Sequence, residues 1–257
     1  MPSFLKRWMG EDEQVAVKPF VPAGERIYCI GDIHGRLDLL QRLHQLILED
    51  ATDHSGEKTL VYLGDYIDRG GQSKEVIDLL LDTPLVGFKQ VYLRGNHEQT
   101  LLDFLQHPWA VATWLTYGGR ATLNSYGVAT SLEPSRPQLD DMRDELEYRL
   151  PQSHLEFYQH LWLMHLAGGY CFVHAGIRPG VSLQEQRNED LLWIREDFTE
   201  SNATHEHIVV HGHTITPEVE WRPNRIGIDT GAFSTGVLTC LVLEGAEQRV
   251  LQTGGKG

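Results

Sequence analysis

Basic residues are scarce in this chain of 257 residues, which has 22 Lys and Arg against 36 Asp and Glu and a formal net charge of -14. Nucleic acids and anionic membranes reward clustered Lys and Arg, so this balance argues against both as partners. Cysteine is also rare, and Cys29, Cys171 and Cys240 lack the close spacing of metal-binding pairs. We therefore expect buried free thiols in a reducing compartment.

Long apolar runs are missing as well. No stretch approaches the ~20 apolar residues of a membrane span, and the first ten residues are not followed by the apolar core of a secretory signal. We expect a soluble, cytoplasmic protein. With 41% hydrophobic residues, the chain can form one large domain. We predict this domain over residues 25–257, after a loosely ordered lead-in over residues 1–24; the oligomeric state stays open.

The segment 64–70, GDYIDRG, directly follows the apolar run 60–63, which is typical of a short buried strand. Carboxylates at the carboxyl end of such a strand face the crevice in which α/β proteins bind ligands. One interpretation is that Asp65 bridges two metal ions while Asp68 and Arg69 serve the chemistry beside them. The alternative is a polar turn after a core strand.

Two more strand-loop-helix patterns lie nearby. A strand over 27–30 precedes Asp32 and His34, and a strand over 89–93 precedes Asn96 and His97. Three such units in succession predict a largely parallel sheet with its polar loops at one edge. Alone, Asp32 could be a helix N-cap and His34 a surface residue, but the recurrence of the pattern weakens that alternative.

The remainder of the chain divides into two parts. Residues 107–150 are turn-rich and aromatic, and we interpret them either as a cap-like insertion that rims the site or as a peripheral subdomain. A helix is predicted over 151–166, and the strand-rich region after it suggests a second sheet packed against the first. His174 and His213 follow two of its predicted strands.

Six side chains at strand ends offer oxygen or imidazole nitrogen and no thiolate: Asp32, His34, Asp65, Asn96, His174 and His213. This donor set suits first-row divalent metals. Six such ligands around one shared carboxylate can hold two ions at the spacing that favours in-line displacement at phosphorus. A lone histidine after a strand is more often structural, but the agreement of all six positions makes coincidence a poor explanation.

Five motifs in order resemble the phosphoprotein phosphatase (PPP) family: GDIHG at 31–35, GDYIDRG at 64–70, RGNHE at 94–98, HAG at 174–176 and GHT at 212–214. Segments 114–119, 193–196 and 228–232 are similar to its bacterial and phage serine/threonine phosphatase branch. The resemblance implies an α/β fold of the metallophosphoesterase type, a four-layer αββα sandwich of two mixed sheets flanked by helices.

The resemblance also implies a role for each residue. Two divalent ions are expected, manganese first and iron or zinc as alternatives, one held by Asp32, His34 and Asp65 and the other by Asp65, Asn96, His174 and His213. His97 would protonate the leaving oxygen, with Asp68 orienting it.

Three arginines match those that grip the phosphoryl oxygens in that family: Arg69, Arg94 and Arg195. In place of Arg195, Arg178 or Arg120 could reach the site.

We expect hydrolysis of phosphomonoesters on a phosphorylated protein or peptide, of the serine/threonine type, by direct attack of a hydroxide that bridges the two ions. Symmetrical dinucleoside tetraphosphate hydrolases are similar to this family but usually lack the second aspartate of the Asp-Arg-Gly triplet. Because Asp68-Arg69-Gly70 is complete, the sequence favours the phosphatase. A catalytically silent scaffold is a further alternative, although every expected ligand is present.

Overall fold

The computed structural model describes residues 20–254. Within this range ten strands, β1 to β10, span Glu25–Ile30, Glu57–Tyr62, Lys89–Tyr92, Met164–Ala167, Tyr170–Val173, Ile208–His211, Glu220–Trp221, Arg225–Gly227, Thr239–Glu244 and Glu247–Gln252. Nine α-helices of the same range, α1 to α9, span Leu37–Asp50, Ser73–Asp82, Asn96–Gln106, Gly119–Ser125, Arg136–Arg149, Gln152–Gln159, Asn188–Trp193, Glu196–Thr199 and Ala232–Thr235. None of the helices described is both long and apolar enough to cross a bilayer.

The strands form two mixed sheets of five. The first has the order β10-β9-β1-β2-β3, in which β1, β2 and β3 run parallel and β9 pairs antiparallel to β1. The second has the order β4-β5-β6-β8-β7, with β5, β6 and β8 parallel. The parallel strands of each sheet end at the same edge, as the three strand-loop-helix units predict.

Alternation of side chains along β1 explains how the layers pack. Ile27 and Cys29 belong to the apolar cluster between the two sheets, together with Phe172 of β5. Tyr28 and Ile30 point to the other side, into the cluster formed with α1 and α2. One strand therefore contributes to two cores, and at about 25 cal/mol per Å² of apolar area both are strongly stabilising.

The far face of the second sheet is covered by the helices that follow it. Val173 and Val209 pack there with Leu191 of α7, Phe198 of α8 and the intervening Ile194. Helices thus flank the two stacked sheets on both sides, which confirms the predicted α/β sandwich.

Residues 107–150 form a 3-10 segment at 112–116 followed by α4 and α5. Leu115, Leu123, Leu139 and Leu146 are buried in the cluster that also contains α1 and α2. The segment therefore completes the core on this side of the sheet, and one of its faces also reaches the polar loops described below.

Two local predictions differ from the structure. The helix predicted over 151–166 ends at Gln159, and residues 164–167 instead form β4, which pairs antiparallel with β5. The connection is the dipeptide Gly168-Gly169, where φ is +56° at Gly168; paired glycines favour a tight hairpin because they accept left-handed backbone. The last two strands, β9 and β10, join the first sheet rather than the second.

The predicted lead-in over 1–24 lies outside the described residues up to position 19. From residue 20 the chain is attached to both sheets. Val21 is fully buried and its N–H donates to the Gly245 carbonyl, while the N–H of Gly169 donates to the Phe20 carbonyl. These bonds hold residues 20 and 21 close to the body of the fold.

Candidate metal centre

The six predicted ligands converge where the parallel strands of both sheets end. Asp32 and His34 follow β1, Asp65 follows β2, and Asn96 opens α3 after β3, while His174 and His213 follow β5 and β6. All six are at most 6% exposed. Burying this many polar groups is costly unless each finds a partner, so their contacts identify what the centre can hold.

Backbone strain is concentrated at the same place. Within residues 20–254, the non-glycine residues with positive φ are His34, Asp65, Asp68, Arg69 and His213. Such conformations cost about 1–3 kcal/mol each and persist where surrounding contacts enforce them. All five belong to the predicted site. Contacts elsewhere in the fold must therefore offset the cost of these backbone conformations, and the strain serves to aim these side chains.

Asp65 lies at the middle of the group. Its carboxylate oxygens are 3.5 Å from Nε2 of His34, 3.5 Å from Nε2 of His174 and 3.7 Å from Nε2 of His97. Two sets of potential ligand atoms share it, namely His34, Asp65 and His97, and Asp65, His174 and His213, each with its atoms within 4.8 Å of one another. Burial alone would raise the pKa of Asp65, but the neighbouring imidazoles, His174 foremost, lower it below its usual range.

The hydrogen bonds of the histidines fit a cation beside Asp65. Nδ1 of His34 donates to the Ile67 carbonyl, and Nδ1 of His174 donates to the Leu63 carbonyl, both over 2.9 Å. A neutral ring that donates through Nδ1 carries a lone pair on Nε2. Both lone pairs face Asp65, and burial lowers the pKa of His34 to about 3, which keeps this ring neutral. Imidazole lone pairs and carboxylate oxygens that face one another are the donor groups that a bound metal ion requires.

Unpartnered polar atoms support the same conclusion. Oδ1 of Asp32 and Nε2 of His213 are buried without a hydrogen-bond partner, whereas Oδ1 of Asn96 lies 2.9 Å from both Nε2 of His174 and Nδ1 of His213. A methyl group at Gly212 would lie 2.1 Å from Oδ1 of Asp32, so the backbone approaches this carboxylate closely. The residues present fit divalent metal ions with oxygen and nitrogen ligands.

A further acidic group, Asp229, lies in the centre and was not predicted as a site residue. Its Oδ1 accepts the Gly231 N–H over 2.9 Å, and its side chain is 3% exposed. Burial, and then the charges of Asp229 and Asp65, raise the pKa of Asp32 well above its usual range. Such crowding of carboxylates is relieved by a bound cation. The sequence signal for Asp229 was the segment 228–232, which contributed to the family resemblance but was given no role at the site.

His97 and Asp68 form a buried pair beside the centre. Nδ1 of His97 donates to Oδ2 of Asp68 over 2.5 Å, and both side chains are nearly fully buried. Burial opposes the charged imidazole, but the carboxylates of Asp65 and Asp68 outweigh it and raise the pKa of His97 to about 9. These two carboxylates favour the protonated imidazole, whose Nε2 is directed to the side of Asp65.

Asp68 is in turn fixed by the insertion. The indole N–H of Trp114 donates to its Oδ2 over 2.6 Å, and the Thr122 hydroxyl donates to its Oδ1 over 2.5 Å. The backbone N–H of Asp68 donates to the hydroxyl oxygens of Ser73 and Thr122. Neither Trp114 nor Thr122 was predicted as a site residue, although Trp114 belongs to the aromatic segment 114–119.

The carboxylate of Glu98 binds the backbone of the 64–67 loop. Its two carboxylate oxygens accept the backbone N–H groups of Asp65, Tyr66, Ile67 and Gly95 over 2.8 to 3.3 Å. These bonds tie the loop after β2 to the start of α3. Glu98 is part of the 94–98 motif, yet sequence reasoning gave it no role because its partners are backbone groups.

The predicted arginines separate into two groups. Arg69 and Arg195 line a cleft of about 470 Å³ beside Asn96 and His97. The guanidinium of Arg94 instead donates to Gln99 and to the carbonyls of Tyr158 and Gln159. These contacts turn it away from the cleft, so they lend no support to its predicted role as a phosphate ligand.

The two alternatives to Arg195 are engaged elsewhere. Arg120 donates to the carbonyls of Leu115 and Ser131 and so caps the insertion. Arg178 forms ion pairs with Asp190 and Asp197. Arg195 is therefore the arginine of this group that lines the cleft.

Comparison with known proteins places this centre in a family. The sequence matches the calcineurin-like phosphoesterase family over residues 25–232. It is 27% identical to the asymmetrical bis(5'-nucleosyl)-tetraphosphatase PrpE of Anoxybacillus flavithermus, over 82% of this chain and 88% of that protein. Its identity to the protein of the same name from Oceanobacillus iheyensis is also 27%, over 83% and 87% of the two chains.

Solved structures agree at the level of the fold. A cold-active protein tyrosine phosphatase superposes with a TM-score of 0.56 at 20% identity, covering 91% of this chain and 82% of that one. The TM-score indicates a shared fold, but an identity this low carries no information about the substrate.

The expected partner, a phosphorylated protein or peptide, is wrong, because the named relatives that align along most of the chain are dinucleoside tetraphosphatases. The expectation relied on the complete triplet Asp68-Arg69-Gly70. Asp68 contacts His97, Trp114 and Thr122, and none of these contacts selects one class of phosphoester. The resemblance to phosphatases holds at the level of the superfamily. Because the family match spans most of the length of this chain, the chain belongs to the calcineurin-like phosphoesterases.

Proposed function

We propose that this chain hydrolyses dinucleoside tetraphosphates asymmetrically, to a nucleoside triphosphate and a nucleoside monophosphate. The observation that carries the proposal is the similarity to asymmetrical tetraphosphatases, which covers 82% of this chain and 88% of the Anoxybacillus flavithermus protein. Symmetrical cleavage, the alternative raised by the sequence, would give two nucleoside diphosphates and is an outcome of the test below.

The volume beside Trp193 and Arg195 leaves room for a substrate larger than a single phosphoryl group. Beside the cleft of about 470 Å³ lies a second cavity of about 750 Å³, and Trp193 and Arg195 line both. A single phosphoryl group would occupy a small part of this space. Arg69 and Arg195 offer guanidinium groups, which bind phosphoryl oxygens in pairs.

We assign the first ion to Asp32, His34 and Asp65, and the second to Asp65, Asn96, His174 and His213. Two such ions, when bound, make a coordinated water acidic and offset charge on the phosphoryl oxygens. The protein supplies the shared carboxylate and the neutral imidazoles, fixed by their Nδ1 bonds to backbone carbonyls. It also supplies the strained loops that aim these groups into the cleft.

His97 completes the reaction as general acid. The oxygen of water forms a bond to phosphorus while the bond from phosphorus to the polyphosphate leaving oxygen breaks. That oxygen accepts a proton from Nε2 of His97, whose other ring nitrogen is held by Asp68. General acid catalysis of this kind contributes roughly 10²- to 10⁴-fold in rate.

The proposal is tested by incubating the purified protein with diadenosine tetraphosphate and a divalent metal and separating the nucleotides by ion exchange. ATP and AMP in equal amounts are expected. ADP alone would replace the proposal by symmetrical cleavage. Hydrolysis of p-nitrophenyl phosphate without any release of nucleotide from the tetraphosphate would contradict it.

Metal dependence is tested on the same reaction. Asp65→Asn should lose both bound metal and activity, measured by elemental analysis of the dialysed protein and by turnover. Asp38→Asn is a matched control, because Asp38 is an exposed carboxylate paired with Arg36 on the surface. An Asp65→Asn variant with full metal content and normal turnover would refute the ligand assignment.

A further inference from the structure

The indole of Trp193 is exposed, whereas the residues on either side of it are buried. Trp193 ends α7 and is 46% exposed, while its neighbours Leu192 and Ile194 are 3% and 6% exposed. The N–H of Ile194 donates to the Asp190 carbonyl over 3.1 Å, which fixes the chain just beyond the indole. An exposed indole is suited to stacking, since it has only two rotatable side-chain bonds and ordering it costs little conformational entropy.

The ring also stands next to the metal centre. Its centroid is 6.4 Å from that of the His213 imidazole, with the planes 86° apart. It lines the cleft that holds Asn96 and His97, and it lines the second cavity as well. Trp193 therefore forms the boundary between the reacting phosphate and the larger space beside it.

We propose that Trp193 is the platform on which the nucleobase adjacent to the attacked phosphate stacks. This inference rests on the proposed function and deepens it. Every nucleobase has a π face, so an indole binds bases with little regard to which base is present, and such stacking strengthens binding. Arg195, two residues further on and in the same cleft, is available to the phosphate chain.

The position of the platform selects the phosphorus that is attacked. Because Trp193 adjoins His213, a base stacked on it is separated from the centre only by its ribose. The phosphate at the centre must then be the one esterified to that nucleoside. Water attacks this phosphorus, the bond to the next bridging oxygen breaks, and the nucleoside triphosphate leaves with the proton from His97. Asymmetrical cleavage follows from this geometry, since symmetrical cleavage would require the base to lie one phosphate further away.

The main test compares two inhibitors that differ in the presence of a nucleobase. In Trp193→Ala, inhibition of p-nitrophenyl phosphate hydrolysis by AMP should weaken about tenfold or more. Inhibition of the same reaction by inorganic phosphate should stay as in the wild type. Trp193→Phe should retain most of the AMP affinity because it keeps an aromatic face. Trp221→Ala is the matched control, since Trp221 has nearly the same exposure, 45%, and lies on the edge strand β7.

A measurement without turnover uses the indole itself. AMP should quench the intrinsic fluorescence of the wild type and of Trp221→Ala, and this quenching should be lost in Trp193→Ala. Equal weakening of AMP and phosphate, or AMP inhibition unchanged in Trp193→Ala, would overturn the assignment. A loss of AMP affinity in Tyr117→Ala in place of Trp193→Ala would transfer the platform to the other exposed aromatic of the cleft and likewise overturn it.

Labelled water tests the choice of phosphorus. Hydrolysis of diadenosine tetraphosphate in H₂¹⁸O should place the label in AMP, and label in ATP would contradict the predicted attack. Failure of the proposed function is separable from failure of this inference. A wild type that releases no nucleotide from the tetraphosphate refutes the former, and AMP inhibition of p-nitrophenyl phosphate hydrolysis still tests the latter.

Discussion

The indole N–H of Trp114 donates to Oδ2 of Asp68 over 2.6 Å, and this bond joins the insertion to the buried pair of Asp68 and His97. The same oxygen accepts Nδ1 of His97 over 2.5 Å. The sequence left open whether residues 107–150 rim the site or merely fill the fold. They contribute to the core through their leucines and to the site through Trp114 and Thr122.

Trp114→Phe should lower turnover while preserving the fold, because it keeps an aromatic ring and removes a donor to a buried carboxylate. A hydrogen bond to a charged group is worth about 1.5–3 kcal/mol, so we expect a loss of that order in the free energy of unfolding, measured with urea. Trp109→Phe is the control, since Trp109 is exposed and stacks only on Arg136. Equal behaviour of the two variants would contradict the role of Trp114.

His97→Gln should slow substrates with poor leaving groups far more than substrates with good ones. We expect a loss of about 10²- to 10⁴-fold on a phenyl ester of AMP and a much smaller loss on the p-nitrophenyl ester, which leaves without a proton. Bound metal, measured by elemental analysis, should be retained, in contrast to Asn96→Ala. Loss of one equivalent of metal from His97→Gln would instead make His97 a ligand, which its distance to Asp65 permits.

The sequence predicted the parts of this molecule that depend on local patterns. Short apolar runs that end in glycine and a polar side chain located β1, β2 and β3, and the parallel arrangement then placed the polar loops at one edge. The six candidate ligands could be named because each follows such a run. At 164–167, by contrast, the local pattern suits a helix, and pairing with β5 outweighs it.

The rest depends on contacts between residues far apart in the chain. Trp114 and Thr122 reach Asp68 across 46 and 54 residues of sequence, and no local spacing encodes that approach. Arg94 follows a strand as Asp65 does, yet its long side chain finds carbonyl partners in the last turn of α6. The choice of substrate class failed for a related reason, because the contacts of Asp68 with His97, Trp114 and Thr122 leave the leaving group of the substrate unspecified.

Gly95→Ala should disturb the centre although its backbone suits any residue, with φ -91° and ψ 169°. The added methyl group would lie 2.0 Å from Oδ1 and 2.3 Å from the backbone N of Asp65. We expect a loss of about 1–3 kcal/mol in unfolding free energy, as for other overpacked sites, together with loss of bound metal and of activity.

Gly71→Ala is the matched control for this prediction. Its added methyl group meets no atom within 4 Å, so its stability should stay within about 0.5 kcal/mol of the wild type. The comparison requires urea unfolding and elemental analysis of both variants. A Gly95→Ala protein with its full complement of metal and wild-type turnover would show that Asp65 needs no such close backbone approach.

His44 makes the stability of the protein depend on pH at a place remote from the metal centre. Its Nε2 lies 2.9 Å from the Tyr62 hydroxyl, and the side chain is on the buried face of α1. Burial lowers the pKa of His44 to about 4. Because the folded pKa lies below the unfolded value of about 6.5, the stabilisation is complete above pH 6.5 and is lost as the pH falls toward 4.

The test is the difference in unfolding free energy between the wild type and His44→Gln. A shift of this size corresponds to up to about 3 kcal/mol between the two pH limits. We expect the wild type to be the more stable at pH 8 and its advantage to shrink progressively between pH 7 and pH 5, while other titrating groups cancel in the difference. Urea unfolding at four pH values measures this directly, and a difference that stays constant across the range would mean that His44 is not buried in its neutral form.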